Sequence, residues 1–272
     1  MNRGERLVPN PNPIGIFDSG VGGISVMREI RRLLPAEDLL YFADSAHCPY
    51  GIKTPEEICS RIFKIAQFMV NQNAKLIVSA CNTASIAGLE LLRRAFELPI
   101  VGMEPAIKPA AAITRNGKVG VMATGVTISG QKFLSLLSRF ANGVEVIKVA
   151  CPGLVEQVEQ GFLDDPETEE LLKTYLAPLI AEGVDTVVLG CTHYPFLRRQ
   201  VESIMGPSVK VIDTGYAVAK RVAQVLREEG LQNSSTGEGK VIFFTSGNPG
   251  KVSQVITKLW NQTPVEINNV SI

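Results

Sequence analysis

Two cysteines hold the chemistry that this sequence offers. Cys81 ends the run Leu76-Ile77-Val78-Ser79-Ala80-Cys81, followed by Asn82-Thr83, and Cys191 ends Thr186-Val187-Val188-Leu189-Gly190-Cys191, followed by Thr192-His193. In both, an apolar β-branched stretch passes through small residues into a helical pattern. That is the carboxyl end of a strand, where open α/β sheets seat their ligands. The unpaired N–H groups and positive dipole end of a helix start lower a nearby thiol's pKa from about 8.5 and bind carboxylates. A thiolate on one face of a carbon and a thiol on the other make a base and an acid that exchange roles with reaction direction. Racemising an amino acid without a pyridoxal phosphate electron sink needs such a pair, and the sequence has no firm signature for that cofactor.

Other residues could serve the same pocket. Asp18-Ser19-Gly20-Val21-Gly22-Gly23 follows a first strand and precedes a helix, so its backbone amides suit an anionic group, with Asp18 free to orient a thiol or an ammonium. It has neither a Walker lysine nor the dinucleotide-binding spacing, and glycine turns also occur for packing alone. His193 stands two residues after Cys191 and has the near-neutral pKa of a proton shuttle, although a lone histidine is as readily structural. Tyr50-Gly51 lies in a turn and suits either carboxylate binding or packing. Free cysteines are commonly small buried hydrophobes, the reading taken for Cys48, Cys59 and Cys151. Five widely spaced cysteines without a C-x-x-C pattern point to neither disulfides nor zinc.

Strands are expected at 13–17, 39–42, 75–79, 100–103, 118–122, 144–149, 186–189, 210–212 and 240–244, with helical patterns such as 25–34 filling most gaps. The alternation argues for βαβ units and a largely parallel sheet. The chain also repeats itself. Ile14 to Gly20 aligns with Val119 to Gly125, Leu76 to Thr83 with Thr186 to His193, and Ile100 to Glu104 with Val211 to Thr214, all about 105 to 110 residues apart. Two α/β units packed about a pseudo-twofold axis would bring Cys81 and Cys191 face to face across the cleft.

The remaining composition narrows the function. Hydrophobic residues at 45% and charged residues at 20% describe a soluble globular chain. Lys+Arg and Asp+Glu balance at 27 each without a basic run, which argues against nucleic acid as a partner. Residues 1–13 have no apolar core of a signal peptide and no stretch is long enough to span a bilayer, so a cytoplasmic protein without membrane association is expected.

Taken together, Asp18-Ser19-Gly20-Val21-Gly22-Gly23, Tyr41-Phe42-Ala43-Asp44 through Pro49-Tyr50-Gly51, Cys81-Asn82-Thr83-Ala84-Ser85, Gly190-Cys191-Thr192-His193-Tyr194-Pro195 and Asp213-Thr214-Gly215 resemble the glutamate racemases. Aspartate racemases share the fold and a Cys-Asn-Thr motif. Their second cysteine is typically followed by Thr-Glu, which favours glutamate here. The resemblance covers nearly the whole chain and implies two similar α/β domains, residues 1–103 plus 215–272 and residues 104–214, with the active site in the cleft between them. It implies no metal, no coenzyme, a homodimer, and cytoplasmic supply of D-glutamate for peptidoglycan. By likeness, Cys81 serves the proton of the D-enantiomer with help from Asp18, and Cys191 that of the L-enantiomer with help from His193. Glu159 matches the family's glutamate near the second cysteine, in the segment Cys151-Pro152-Gly153-Leu154 through Val158-Glu159. Asp18, Ser19, Tyr50, Gly51, Asn82, Thr83, Thr192 and His193 would hold the substrate. The rival readings are a racemase of another acidic amino acid, a hydrolase or isomerase in which one cysteine attacks covalently, and a two-lobed small-molecule binding protein.

Overall fold

A computed structural model describes residues 10–261 and 266–272. Residues 1–9, part of the segment read as lacking a signal peptide, lie outside the described residues. Among the described residues ten strands form two sheets: β1 (Ile14–Asp18), β2 (Leu39–Ala43), β3 (Leu76–Ser79), β4 (Ile100–Val101), β5 (Lys118–Ala123), β6 (Glu145–Ala150), β7 (Thr186–Leu189), β8 (Lys210–Ile212), β9 (Val241–Thr245) and β10 (Ile267–Asn269). The first sheet runs β10-β9-β2-β1-β3-β4 and the second β6-β5-β7-β8. Every strand pairing is parallel.

The four-strand order β2-β1-β3-β4 recurs as β6-β5-β7-β8, so the sequence repeat is a repeat of topology. Parallel strands covered by helices on both faces must be apolar throughout, and β1, β2, β3 and β7 are buried at every position. Ile16, Tyr41 and Val78 pack with the helices Ile24–Leu33 and Gly215–Glu228, while Phe17, Phe42 and Ile77 face the helices Pro55–Asn71 and Asn82–Ala95. The first core is continuous with Met122, Val187 and Leu189 of the second sheet, which joins the two units.

Three expectations are revised. The strand placed at 100–103 stops at Val101, where its pairing with β3 ends. The helical pattern expected after Cys191 begins as a 3₁₀ turn, Tyr194–Leu197, and becomes α-helical only at Arg198–Met205. The edge strand β10 was unforeseen, since three residues, two of them asparagine, are too few to show a period. Among the described residues no helix is long and apolar enough to cross a membrane.

Candidate active site

The carboxyl ends of β1, β3 and β7 and the loop after β2 converge on one pocket. Its walls include Ser19, Tyr50, Gly51, Cys81, Asn82, Thr83, Cys191, Thr192 and His193, all singled out from the sequence. The cavity itself is about 10 Å³, room for no more than about one water molecule, so the walls stand close together in this structure. Asp18 and Glu159 stand behind this wall and touch the residues that form it.

Asp18 closes β1 and is fully buried. Its Oδ2 accepts the Gly23 N–H at 2.7 Å and the Thr192 hydroxyl at 3.2 Å, so a carboxylate of the first unit is held partly by the second. The Ser25 hydroxyl adds a second tie, donating to the Thr192 carbonyl at 2.8 Å. Cys81 caps the helix Asn82–Ala95, its sulfur accepting the Ala84 N–H at 3.4 Å, and it shares a hydrogen bond with Asp18. The expected lowering of this thiol's pKa is not found. Burial pushes Cys81 well above the usual thiol value, the Asp18 charge adds to the rise, and the helix N–H opposes it without prevailing. Burial likewise raises Asp18, against the pull of His193.

A different device serves the other cysteine. Nδ1 of His193 lies 3.6 Å from the Cys191 sulfur, and its Nε2 lies 2.6 Å from Oε1 of Glu159. Glu159 ends the short helix Leu154–Glu159 and also accepts the Val21 N–H of the first unit at 2.6 Å. Burial works against a charged imidazole, yet hydrogen bonds to Cys191, Cys48 and Glu159 outweigh it and hold the His193 pKa well above its ordinary value. Below that pKa both ring nitrogens donate.

Two of the residues lining the pocket are in distinct states. The Asn82 side chain is buried with no partner for its amide nitrogen or oxygen. Such orphaned groups cost about 1–3 kcal/mol each unless a ligand or water satisfies them. The Tyr50 hydroxyl instead donates to Asp44 at 2.5 Å. Asp44 is clamped by Arg61 at 2.8 and 3.0 Å and receives the Ser246 hydroxyl at 2.7 Å. Tyr50 therefore offers the pocket its ring and backbone rather than a phenolic donor.

Sequence reasoning missed Pro49, Thr124, Val155 and Gly190, which also line the pocket. Thr124 was legible, because the repeat aligns it with Ser19; its hydroxyl lies 3.1 Å from that of Thr83. Cys48, read as structural, lies against the site: it hydrogen-bonds His193, its sulfur is 3.9 Å from the Ser19 hydroxyl, and burial pushes its pKa up to about 12. Nothing in Cys48's own surroundings in sequence signalled this. Cys59 and Cys151 donate to the backbone carbonyls of Ala87 and Val149, as inert thiols do.

Comparison with known proteins agrees with this geometry. The chain is 51% identical over 249 residues to a glutamate racemase of Roseiflexus sp. (strain RS-1), covering 91% of this chain and 92% of that protein. It superposes on the crystal structure of a glutamate racemase isoform from Bacillus anthracis with a TM-score of 0.87 at 33% identity, covering 96% and 98% of the two chains. The Escherichia coli glutamate racemase, solved with L-glutamate and the activator UDP-MurNAc-ala, gives a TM-score of 0.83 at 34% identity, covering 95% and 98%. Residues 14–222 match the family described as Asp/Glu/Hydantoin racemase, and the chain belongs to that family.

Proposed function

We propose that this protein interconverts L-glutamate and D-glutamate by two-base proton transfer between Cys81 and Cys191, without a cofactor. The observation that carries the reading is the meeting of these two thiols, from equivalent strand ends of a repeated unit, in one small pocket. One sulfur, as thiolate, takes the α-proton, breaking C–H and forming S–H. The opposite thiol gives its proton to the other face of the carbon and is left as the thiolate. Each sulfur has its own proton partner, Asp18 for Cys81 and His193 with Glu159 for Cys191.

Burial raises the pKa of both Cys81 and Asp18, which disfavours the charged form of each. A bound α-ammonium would bring positive charge to the pocket and favour the thiolate there. The unpartnered Asn82 amide supplies one donor and one acceptor of the kind an amino acid satisfies. Glutamate as substrate is supported by the relatives' names and by the L-glutamate in the E. coli structure. The same reading takes residues 1–103 with 215–272 as one domain and 104–214 as the other, which the division of strands between the sheets supports. It includes a cytoplasmic homodimer supplying D-glutamate for peptidoglycan; light scattering of the purified protein tests the dimer.

Circular dichroism of purified protein with L-glutamate and no added coenzyme tests the chemistry. The signal is expected to decay toward zero, and a flat trace at high protein concentration overturns the proposal. Cys81→Ala and Cys191→Ala should each abolish turnover. Survival of either activity would favour a covalent mechanism with one incidental cysteine.

A further inference from the structure

Cys48 is a thiol beside the pocket that the proton-transfer scheme leaves without a role. It lies in the segment after β2, whereas Glu159 ends the helix Leu154–Glu159 and His193 follows β7. One donor atom from each of these three residues lies within 4.8 Å of the other two. Sulfur, carboxylate oxygen and imidazole nitrogen are thus brought together from three separate segments, already ordered by packing. A tetrahedral zinc ion, with Zn–S about 2.3 Å and Zn–N and Zn–O about 2.0–2.2 Å, needs such ligands roughly 3.3–3.7 Å apart. The His193–Glu159 contact at 2.6 Å has to open by less than an ångström for an ion to enter, and the Cys48 sulfur, within 4.8 Å of both, has to close on it by at most about 1.5 Å.

We propose that Cys48, Glu159 and His193 form a binding site for a thiophilic divalent cation, Zn²⁺ foremost, whose occupation reversibly switches off proton transfer at Cys191. The donor set decides the class of ion. Mg²⁺ and Ca²⁺ take all-oxygen shells, whereas a thiolate with an imidazole selects zinc and its neighbours. Three protein ligands leave a fourth position for water. The inhibitory part rests on the proposed function: a cation held by Glu159 and Nε2 of His193 replaces their hydrogen bond, and the imidazole then cannot lose and regain a proton on behalf of Cys191.

The test uses full-length protein freed of metal with a chelator. Titration with Co²⁺ is followed by the near-ultraviolet sulfur-to-cobalt charge-transfer absorption, in wild type, Cys48→Ser, Cys48→Ala and Cys59→Ser. A band saturating at one equivalent is expected in wild type and Cys59→Ser, and its loss in both folded Cys48 variants. Zn²⁺ should displace Co²⁺ and stop racemisation of L-glutamate, a chelator should restore it, and loss of the sulfur ligand should weaken inhibition by more than about tenfold. No band in wild type, or one that persists in the Cys48 variants because the reacting thiols hold the ion, overturns the site. Cation binding that leaves turnover intact overturns the switch. Should metal-free wild type not racemise glutamate at all, the proposed function fails while the cobalt spectrum still reports on the site.

Discussion

A carboxylate stripped of water is disfavoured as an anion, and Asp18 pays that penalty: it is fully buried and its pKa is raised. The sign follows from linkage. A carboxyl whose folded-state pKa exceeds its unfolded value of about 3.9 weakens the fold as pH climbs through the interval between them, and that loss persists at neutral pH. Asp18→Asn is therefore expected to raise the melting temperature at pH 7 while lowering kcat by about 10²–10⁴-fold, the contribution typical of a proton-transfer partner. Thermal denaturation and the circular-dichroism assay on one sample check both halves. His193 has the opposite sign. Its raised pKa gives stability fully present below about pH 6.5, the unfolded value, and lost as pH rises through the folded-state pKa. Denaturant melts of wild type against His193→Gln across that range should converge at high pH; parallel curves would show that the imidazolium contributes nothing to the fold.

At the scale of elements, the turn between β1 and the helix Ile24–Leu33 brings backbone up against two side chains of the candidate site. A Cβ on Gly20 would lie 1.9 Å from Oε1 of Glu159, and one on Gly22 would lie 2.3 Å from Nδ1 of His193. Neither neighbour can yield without breaking the 2.6 Å Glu159–His193 bond. Gly22→Ala is predicted to cost about 1–3 kcal/mol of stability by overpacking and on the order of 10² in kcat by displacing the imidazole. An urea melt and a progress curve decide it; wild-type kcat in the variant would mean that His193 is dispensable. The Gly-rich turn thus acts as a socket for residues of the second unit. Its phosphate-loop appearance comes from the same need for backbone to come close.

Across the whole molecule, the buried Asp44–Arg61 pair joins distant parts of the chain. Asp44 follows β2, Arg61 sits on Pro55–Asn71, Ser246 follows β9, and Arg61 also donates to the Ile272 carbonyl at 2.5 Å. Arg61→Ala leaves a buried carboxylate without its cation and should cost about 3–5 kcal/mol in denaturant unfolding. The Asp44 pKa is lowered, by hydrogen bonds and the Arg61 charge that overcome burial. Its stabilisation is present above the unfolded value of about 3.9 and lost as pH falls through the folded-state value, a slope that Arg61→Ala should flatten. Strand periodicity and the cysteine-bearing motifs are each written within a few adjacent residues, and the repeat needs only the comparison of such stretches; with the family resemblance they suffice for parallel α/β architecture, the Cys81–Cys191 pairing and most pocket residues. Whether a thiol is activated or suppressed depends on how much water the assembled cleft removes, which reversed the expectation for Cys81. Which residues lie across the cleft from one another depends on two units docking, so Cys48 and the Glu159–Val21 contact had no signature in their own neighbourhoods strong enough to place them. Desolvation and contact at long sequence separation are properties of the packed molecule, and for these the tertiary structure alone was decisive.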